Sequence, residues 1–549
     1  MPRATVSQVS GPLQLKMLAR DTGVAIIIQV IGLVLIYLTR VYLARWMGET
    51  EYGIYEYVIS WSLLLATFSG LGFPRAVLRF VAQYRVKEKW ALLLGIVRTS
   101  WLLTLGVSLI FSLVGTGVVT LVDRAHPFVY AKPLLVGIWL VPLQALMNLQ
   151  REMSRAFDDI TLALTPLLVI WPALVLGGGI WWLDRHKSLT SLPMVTLATL
   201  LLLGVLIFQV ILMAQKIRRD IGPQFLATAV SVPTFSDVSL GLGLGSDGTI
   251  TLGSTGGVTQ PEQPKTPKPR LEYAYKEWLS VSVVLLLQNA FGILLQQTDI
   301  VMVGSLLGPE DAGLYGAAVK TSLWVGFVLQ TVNIVAAPAF ATLYAQKDMQ
   351  GLQRLVGTVT IWIFWPSLAI AIGLMSFAPE VMSWFGPQFV AGALELKILV
   401  VGQVVSALCG SVAYLMSMTG HQNRSVVVFG SAAVLNIVLN AVLIPWVGAM
   451  GAAIATGFTM VVWNVWLSVL VVKYVKIQPS VFYFLFQGKE TLKAPETGTE
   501  AAQTGSETGS GANAEGESGV TAESGPEAGA DADPATSTEG EPDVSSDQS

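Results

Sequence analysis

Gly48-Glu49-Thr50-Glu51-Tyr52-Gly53-Ile54-Tyr55 returns 260 residues downstream, without a gap, as Gly308-Pro309-Glu310-Asp311-Ala312-Gly313-Leu314-Tyr315. Shared apolar composition yields scattered coincidences, not a common Gly-x4-Gly-x-Tyr turn. The correspondence runs on, since Ser62, Leu63, Ala76, Phe80, Tyr84, Lys87 and Leu92 meet identical residues at 322, 323, 336, 340, 344, 347 and 352, making ten identities in 45 positions. The chain is a duplication, so the topology of its first half is repeated in its second.

What is duplicated is a membrane bundle. Of 549 residues 53% are hydrophobic and 13% charged, and the mean hydropathy is +0.62, far from the composition of soluble domains. A spanning helix needs about 20 apolar residues. Twelve such spans are expected, near 22–42, 54–80, 92–122, 131–150, 160–183, 190–215, 278–304, 312–342, 355–378, 393–418, 425–445 and 449–472. Between Arg424 and Lys473 lie 48 residues without a charge, about 72 Å of helix, so that stretch folds back, with the turn expected at Pro445-Trp446-Val447-Gly448. Six spans separate equivalent points of the repeat. The expected fold is therefore an all-α polytopic membrane protein of about twelve helices, in two six-helix lobes related by a pseudo-two-fold along the membrane normal.

Alternate connections differ in charge. With the N-terminus inside, inside segments carry 24 of the 33 Lys and Arg, outside connections seven, and Arg98 and Lys320 lie within spans. This places both termini in the cytoplasm. The first apolar run lacks a small-x-small cleavage site and reads as an uncleaved span. The lobes are expected at 1–216 and 277–476, joined by a Gly- and Pro-rich cytoplasmic linker, 217–276. Its glycines are followed by no Gly-Lys-Ser/Thr, so it reads as a tether and not as a nucleotide loop. Residues 488–549 have no aromatic side chain, and residues 494–549 hold thirteen acids and no Lys or Arg. Such a tail cannot bury enough apolar area to order itself. The run Val481–Phe486 is too short to span and is expected to anchor at the interface.

Ionisable residues in a bilayer tend to face a bundle interior or a wet cavity. Arg98 and Lys320 lie deepest and are expected to line a cavity. Arg40 and Asp299 lie at similar depth in the two halves and can pair across it, although snorkelling to the interface and bonding to a neighbouring helix explain them equally. Arg75 and Arg79 share a face beyond Gly70, Gly72 and the kinking Pro74, as topological anchors or as a cationic mouth on the cytosolic side. Gln144 and Asn148, Gln288, Asn289, Gln296 and Gln297, Gln330 and Asn333, and Asn436 and Asn440 fall on shared helical faces, as a sugar-accommodating lining or as cross-links between helices. His126, His186 and His421 have no partners at ligand spacing, and Cys409 stands alone, so no metal site, cofactor or disulfide is expected. No triad or paired carboxylates share a face, which argues against an enzyme.

On Leu43-Ala44-Arg45-Trp46-Met47-Gly48 through Tyr55, Gly70-Leu71-Gly72 with Arg79-Phe80, and Thr298-Asp299-Ile300-Val301-Met302-Val303-Gly304, the chain resembles the polysaccharide-flippase branch of the multidrug/oligosaccharidyl-lipid/polysaccharide exporter superfamily, which includes O-antigen flippases of the Wzx kind. Pro338, Tyr344, Met418-Thr419-Gly420-His421 and Asn436-Ile437-Val438-Leu439-Asn440 leading to Gly448–Ala453 extend the likeness, which covers residues 12–476. The resemblance implies two lobes around a cationic cavity, open to each side in turn, that carry a polyprenyl-diphosphate oligosaccharide outward for cell-surface polysaccharide synthesis. Arg98 and Lys320 would then contact the head group. The implied partners are the lipid-linked oligosaccharide, membrane lipids and other polysaccharide-assembly proteins, with no nucleic acid. A cation-coupled drug antiporter on the same scaffold, with Asp299 as its coupling carboxylate, and a membrane glycosyl polymerase are the alternatives.

Overall fold

The computed structural model describes residues 11–221, 271–481 and 483. Among them every regular element is helical, and eleven helices are long and apolar enough to cross a bilayer. The first of these, Gly23–Ser69, is 47 residues long, about 70 Å against a hydrocarbon core of about 30 Å. Gly48 interrupts it with φ 79° and ψ 173°. Gly308, its counterpart in the repeat, separates two helices with φ 115° and ψ −179°. Only glycine adopts this backbone without strain, so each half begins with two spans hinged on a single residue.

Twelve spans result among the described residues, numbered α1 (11–47), α2 (49–69, continued by Phe73–Val86), α3 (Trp90–Ala125), α4 (Ala131–Gly137, continued by Leu140–Ala156), α5 (Ile160–His186), α6 (Ser191–Ile221), α7 (Tyr275–Leu306), α8 (Pro309–Ala345), α9 (Met349–Ser376), α10 (Ala393–Cys409, continued by Val412–Met418), α11 (Gln422–Val447) and α12 (Ala449–Val475). The turn expected over 445–448 is shorter than anticipated. α11 runs through Pro445, and the chain reverses on Gly448 alone, at φ 73° and ψ −151°.

The opposite end uses a different turn, again repeated. Lys89, Asp159 and Asp348 each donate a backbone N–H five residues back, to Tyr84 at 2.9 Å, Ser154 at 2.9 Å and Leu343 at 3.0 Å. Each follows a residue in the left-handed region: Glu88, Asp158 and Lys347. These are Schellman-type closures, and Asp159 and Asp348 then cap the next helix through Leu162 N and Gly351 N. The turn at Tyr84 and that at Leu343 lie 259 residues apart, not 260. α2 breaks at Leu71 and Gly72, both with positive φ, whereas α8 runs on, and the break absorbs one residue. The gapless register of the repeat thus slips beyond Gly72: Leu93, not Leu92, stands where Leu352 does, four residues after the capping position in both halves.

Beyond α12 the chain folds back over α9. The Gln353 amide donates to Gln478 O at 3.0 Å and accepts from Gln478 N at 2.9 Å. Val481, the first residue of the run expected at the interface, is fully buried; residues 482 and 484–486 of that run lie outside the described residues. Of the linker expected over 217–276, the two flanking helices take residues 217–221 and 275–276 and residues 222–270 lie outside the described residues, as does the expected tail 488–549.

Candidate functional site

At the end that carries Gly48 and Gly308, the two halves touch through the repeated segments themselves. A Cβ on Gly53 would run into the Pro309 carbonyl, and one on Gly313 into the Glu49 carbonyl. Residues 49 and 309, like 53 and 313, are equivalents, so this is one contact seen twice, as a two-fold relation requires. Thr50 Oγ1 donates to Glu310 Oε1 at 3.2 Å, its own counterpart, so the pseudo-axis passes between them. Further in, Ser60 Oγ donates to Gln297 Oε1 at 3.0 Å, and Tyr37 Oη lies 3.4 Å from Thr321 Oγ1.

Inside this seam sits a cluster of charges. Arg40 and Glu56 stand eight residues on either side of Gly48, about 12 Å from the turn, with Asp299 at about 14 Å and Lys320 at about 18 Å in the other half. All four lie on helices long and apolar enough to cross a bilayer. An Arg40 guanidinium nitrogen is ion-paired with Glu56 Oε1, and Lys320 Nζ is 3.9 Å from Glu56 Oε2. Glu56 is fully enclosed, while the side chains of Arg40 and Lys320 keep 17% and 11% of their surface. Gly316 is the counterpart of Glu56, and a Cβ there would meet Glu56 Cγ at 3.5 Å. Near the axis there is room for one such side chain, and the first half supplies it.

Asp299 belongs to a neighbouring, differently built site. Tyr315 Oη donates to its Oδ2 at 2.8 Å, Thr456 Oγ1 at 3.3 Å, and Ile300 N donates to Oδ1 at 2.9 Å. Asn436 Nδ2 donates to Thr456 Oγ1 at 3.3 Å, and Asn440 Nδ2 to Asn436 O at 2.8 Å. The side-chain oxygens of Asn436 and Asn440 are buried without a donor. The Asp299 carboxylate and the Thr456 hydroxyl are oxygen donors of the kind that a proton or a small hard cation takes. No group of three or more His, Cys, Asp or Glu at metal-binding distance occurs among the described residues.

The expected pairing of Arg40 with Asp299 is not what the structure holds. Arg40 takes Glu56, its partner across the Gly48 hairpin, and Asp299 takes Tyr315, correspondingly placed across Gly308. Lys320 joins the cluster through Glu56. Arg98 does not: it is exposed on α3, one turn from the 59% exposed Leu102. Arg75 and Arg79 are exposed on the far segment of α2, and Gln296 is exposed while Gln297 is buried. Gln144 is buried with its Oε1 unpaired, Asn148 is half-buried, and Asn333 is wholly buried with neither amide atom bonded. Glu56, Tyr315 and Thr456 were not singled out from the sequence.

The chain matches the family described as "Polysaccharide biosynthesis protein" over residues 18–344, and the family described as MatE over residues 285–442. The "Probable low-salt glycan biosynthesis flippase Agl15" of Haloferax volcanii is 24% identical over 212 residues, 37% of this chain and 42% of that protein. The chain therefore spans less than half the length of this relative. Among solved structures, an inward-facing multidrug resistance MATE family transporter of the MOP superfamily superposes with a TM-score of 0.59 at 12% identity, covering 82% of this chain and 99% of that one. Lipid II flippase MurJ in an inward closed conformation gives 0.57 at 13%, covering 84% and 91%. These likenesses show a shared two-lobe helical fold.

Proposed function

We propose that this chain, which belongs to the polysaccharide biosynthesis protein family, flips a lipid-linked oligosaccharide across the membrane by alternating access of its two lobes. The observation that carries this reading is the pair of cations, Arg40 and Lys320, brought together on Glu56 from different lobes within membrane-spanning helices. A buried cation pair tolerates burial only opposite negative charge, and a polyprenyl diphosphate supplies it while its tail stays in lipid. The sugar then lies among the amides and hydroxyls of the seam. The excess of Lys and Arg on alternate connections orients both termini to the cytoplasm, and outward carriage is what the family likeness implies. The likeness to a glycan biosynthesis flippase supports the same substrate class.

The test follows lipid-linked sugar on the cytosolic leaflet of cells depleted of the protein. Accumulation that wild-type protein reverses and Lys320→Gln does not is the expected result. Unimpaired export by well-folded Lys320→Gln protein overturns the reading.

A second reading rests on Asp299. A buried carboxylate held by two hydroxyls suits cation or proton coupling, either of glycolipid export or of drug antiport on the same scaffold. Drug efflux driven by a cation gradient, with no effect on glycolipid, would favour the antiporter.

A further inference from the structure

We infer that Glu56 is a resident counter-anion, which occupies the Arg40–Lys320 cation pair in the empty carrier and must be displaced by the anionic head group before the seam above it can open. This rests on the reading of the chain as a carrier of lipid diphosphates, and it assigns to one acid the link between binding and opening.

The geometry gives Glu56 and an incoming anion the same two partners. The acid is enclosed completely, whereas both cations retain some access, so a head group can reach Arg40 and Lys320 but not Glu56 itself. The acid also spans the lobes: Arg40 comes from the first half with it, and Lys320 from the second. The 3.9 Å separation at Lys320 makes that the looser partner, the one a stronger anion takes first. A diphosphate offers more charge and more acceptor oxygens than a carboxylate and binds such donors in a charge-assisted manner. Glu56 lies across Gly316, so acid and head group cannot both fit between the cations.

The displaced acid has a partner nearby. Tyr52 lies four residues back on the same helical face, fully buried, with its hydroxyl lacking any acceptor. Tyr52 also belongs to the hairpin segment that carries Gly53 and Thr50, the residues pressed against the other lobe. Movement of Glu56 toward Tyr52 removes the Lys320 contact, and with it one tie between lobes directly beneath the tightest part of the seam.

The experiment uses purified full-length protein and farnesyl diphosphate as the probe, with inorganic pyrophosphate as the anion without a lipid tail. Glu56→Gln removes the competitor and is expected to tighten farnesyl diphosphate binding about tenfold. Glu56→Asp, which keeps the charge, returns the affinity to near wild type. Opening is read separately, from the yield of a short bis-maleimide cross-link between Thr50→Cys and Glu310→Cys in a Cys409→Ser background. Farnesyl diphosphate lowers that yield in wild type, and Glu56→Gln lowers it without ligand.

Unchanged affinity in Glu56→Gln, with the probe still bound by wild type, overturns the inference and leaves the flippase reading standing. Absence of binding in every protein, wild type included, overturns both. Should Glu56→Gln not fold, the charge-balanced Arg40→Gln/Glu56→Gln protein decides: a low cross-link yield indifferent to farnesyl diphosphate supports the inference, and a wild-type, ligand-responsive yield overturns it.

Discussion

Gly53→Ala adds one methyl group where the α2 backbone meets the Pro309 carbonyl, well inside van der Waals contact. Gly53 is helical, so alanine favours the helix by about 1 kcal/mol, but equally whether the lobes touch or part, and that gain cancels. The clash exists only in the closed seam. Overpacking at a rigid backbone contact costs about 1–3 kcal/mol, which lowers the ratio of closed to open protein about 5- to 150-fold. Gly313→Ala meets the equivalent Glu49 carbonyl and acts in the same direction. The double variant falls short of the sum, because lobes parted by one methyl no longer press on the other. Spin labels at the exposed positions Arg45 and Leu306 report the separation at this end as a distance distribution. The expected result is loss of the short-distance population in Gly53→Ala and its retention in Gly106→Ala, where an added Cβ has nothing within 4 Å. A Gly53→Ala distribution identical to wild type, in protein that folds and inserts, refutes the assignment of this contact as the seam.

Arg98→Gln is expected to retain most export while Lys320→Gln loses it, both scored by lipid-linked sugar on the cytosolic leaflet; equal loss would return Arg98 to the transport path. Asp299→Asn keeps farnesyl diphosphate binding but loses dependence on an imposed sodium or proton gradient in proteoliposomes; unchanged gradient dependence removes Asp299 from coupling. Gly72→Ala places a side chain at φ 74° and against the Ser282 carbonyl. It is expected to cost about 1–3 kcal/mol, seen as a lowered thermal midpoint in detergent, and an unaltered midpoint would mean that α2 and α7 part there without penalty.

The duplication, the spans and the break in α2 were legible because each has a local cause: a repeated glycine turn, apolar length, or Gly-x-Gly before proline. Which side of a helix faces the interior was not, because lipid-facing and packed faces are both apolar and leave no strong 3.6-residue signal. Depth alone made Arg98 a lining residue. A subtler mark was present on α3, where Ser100, Thr104, Ser108 and Ser112 are all buried. Four small hydroxyl residues at intervals of four trace the packed stripe, and Arg98 lies off it.

Glu56 was passed over for a different reason. Apolar length alone starts the second span at residue 54 and ends the first at residue 42, which puts Glu56 and Arg40 near interfaces where charges are ordinary. The helices instead meet at Gly48, and the repeat already said so: Pro309, the counterpart of Glu49, suits the first position of a helix, so each second span starts directly after its glycine. Two antiparallel helices joined by one residue bring positions equidistant from it to the same height. Arg40 and Glu56 are eight residues to either side of Gly48, and Asp299 and Tyr315 are nine before and seven after Gly308. Hairpin symmetry therefore favours Arg40–Glu56, and nearly so Asp299–Tyr315, over any pairing of Arg40 with Asp299; opposite Lys320, twelve residues after Gly308, it sets the uncharged, exposed Gln296, so the anion that Lys320 meets is Glu56 of the other lobe.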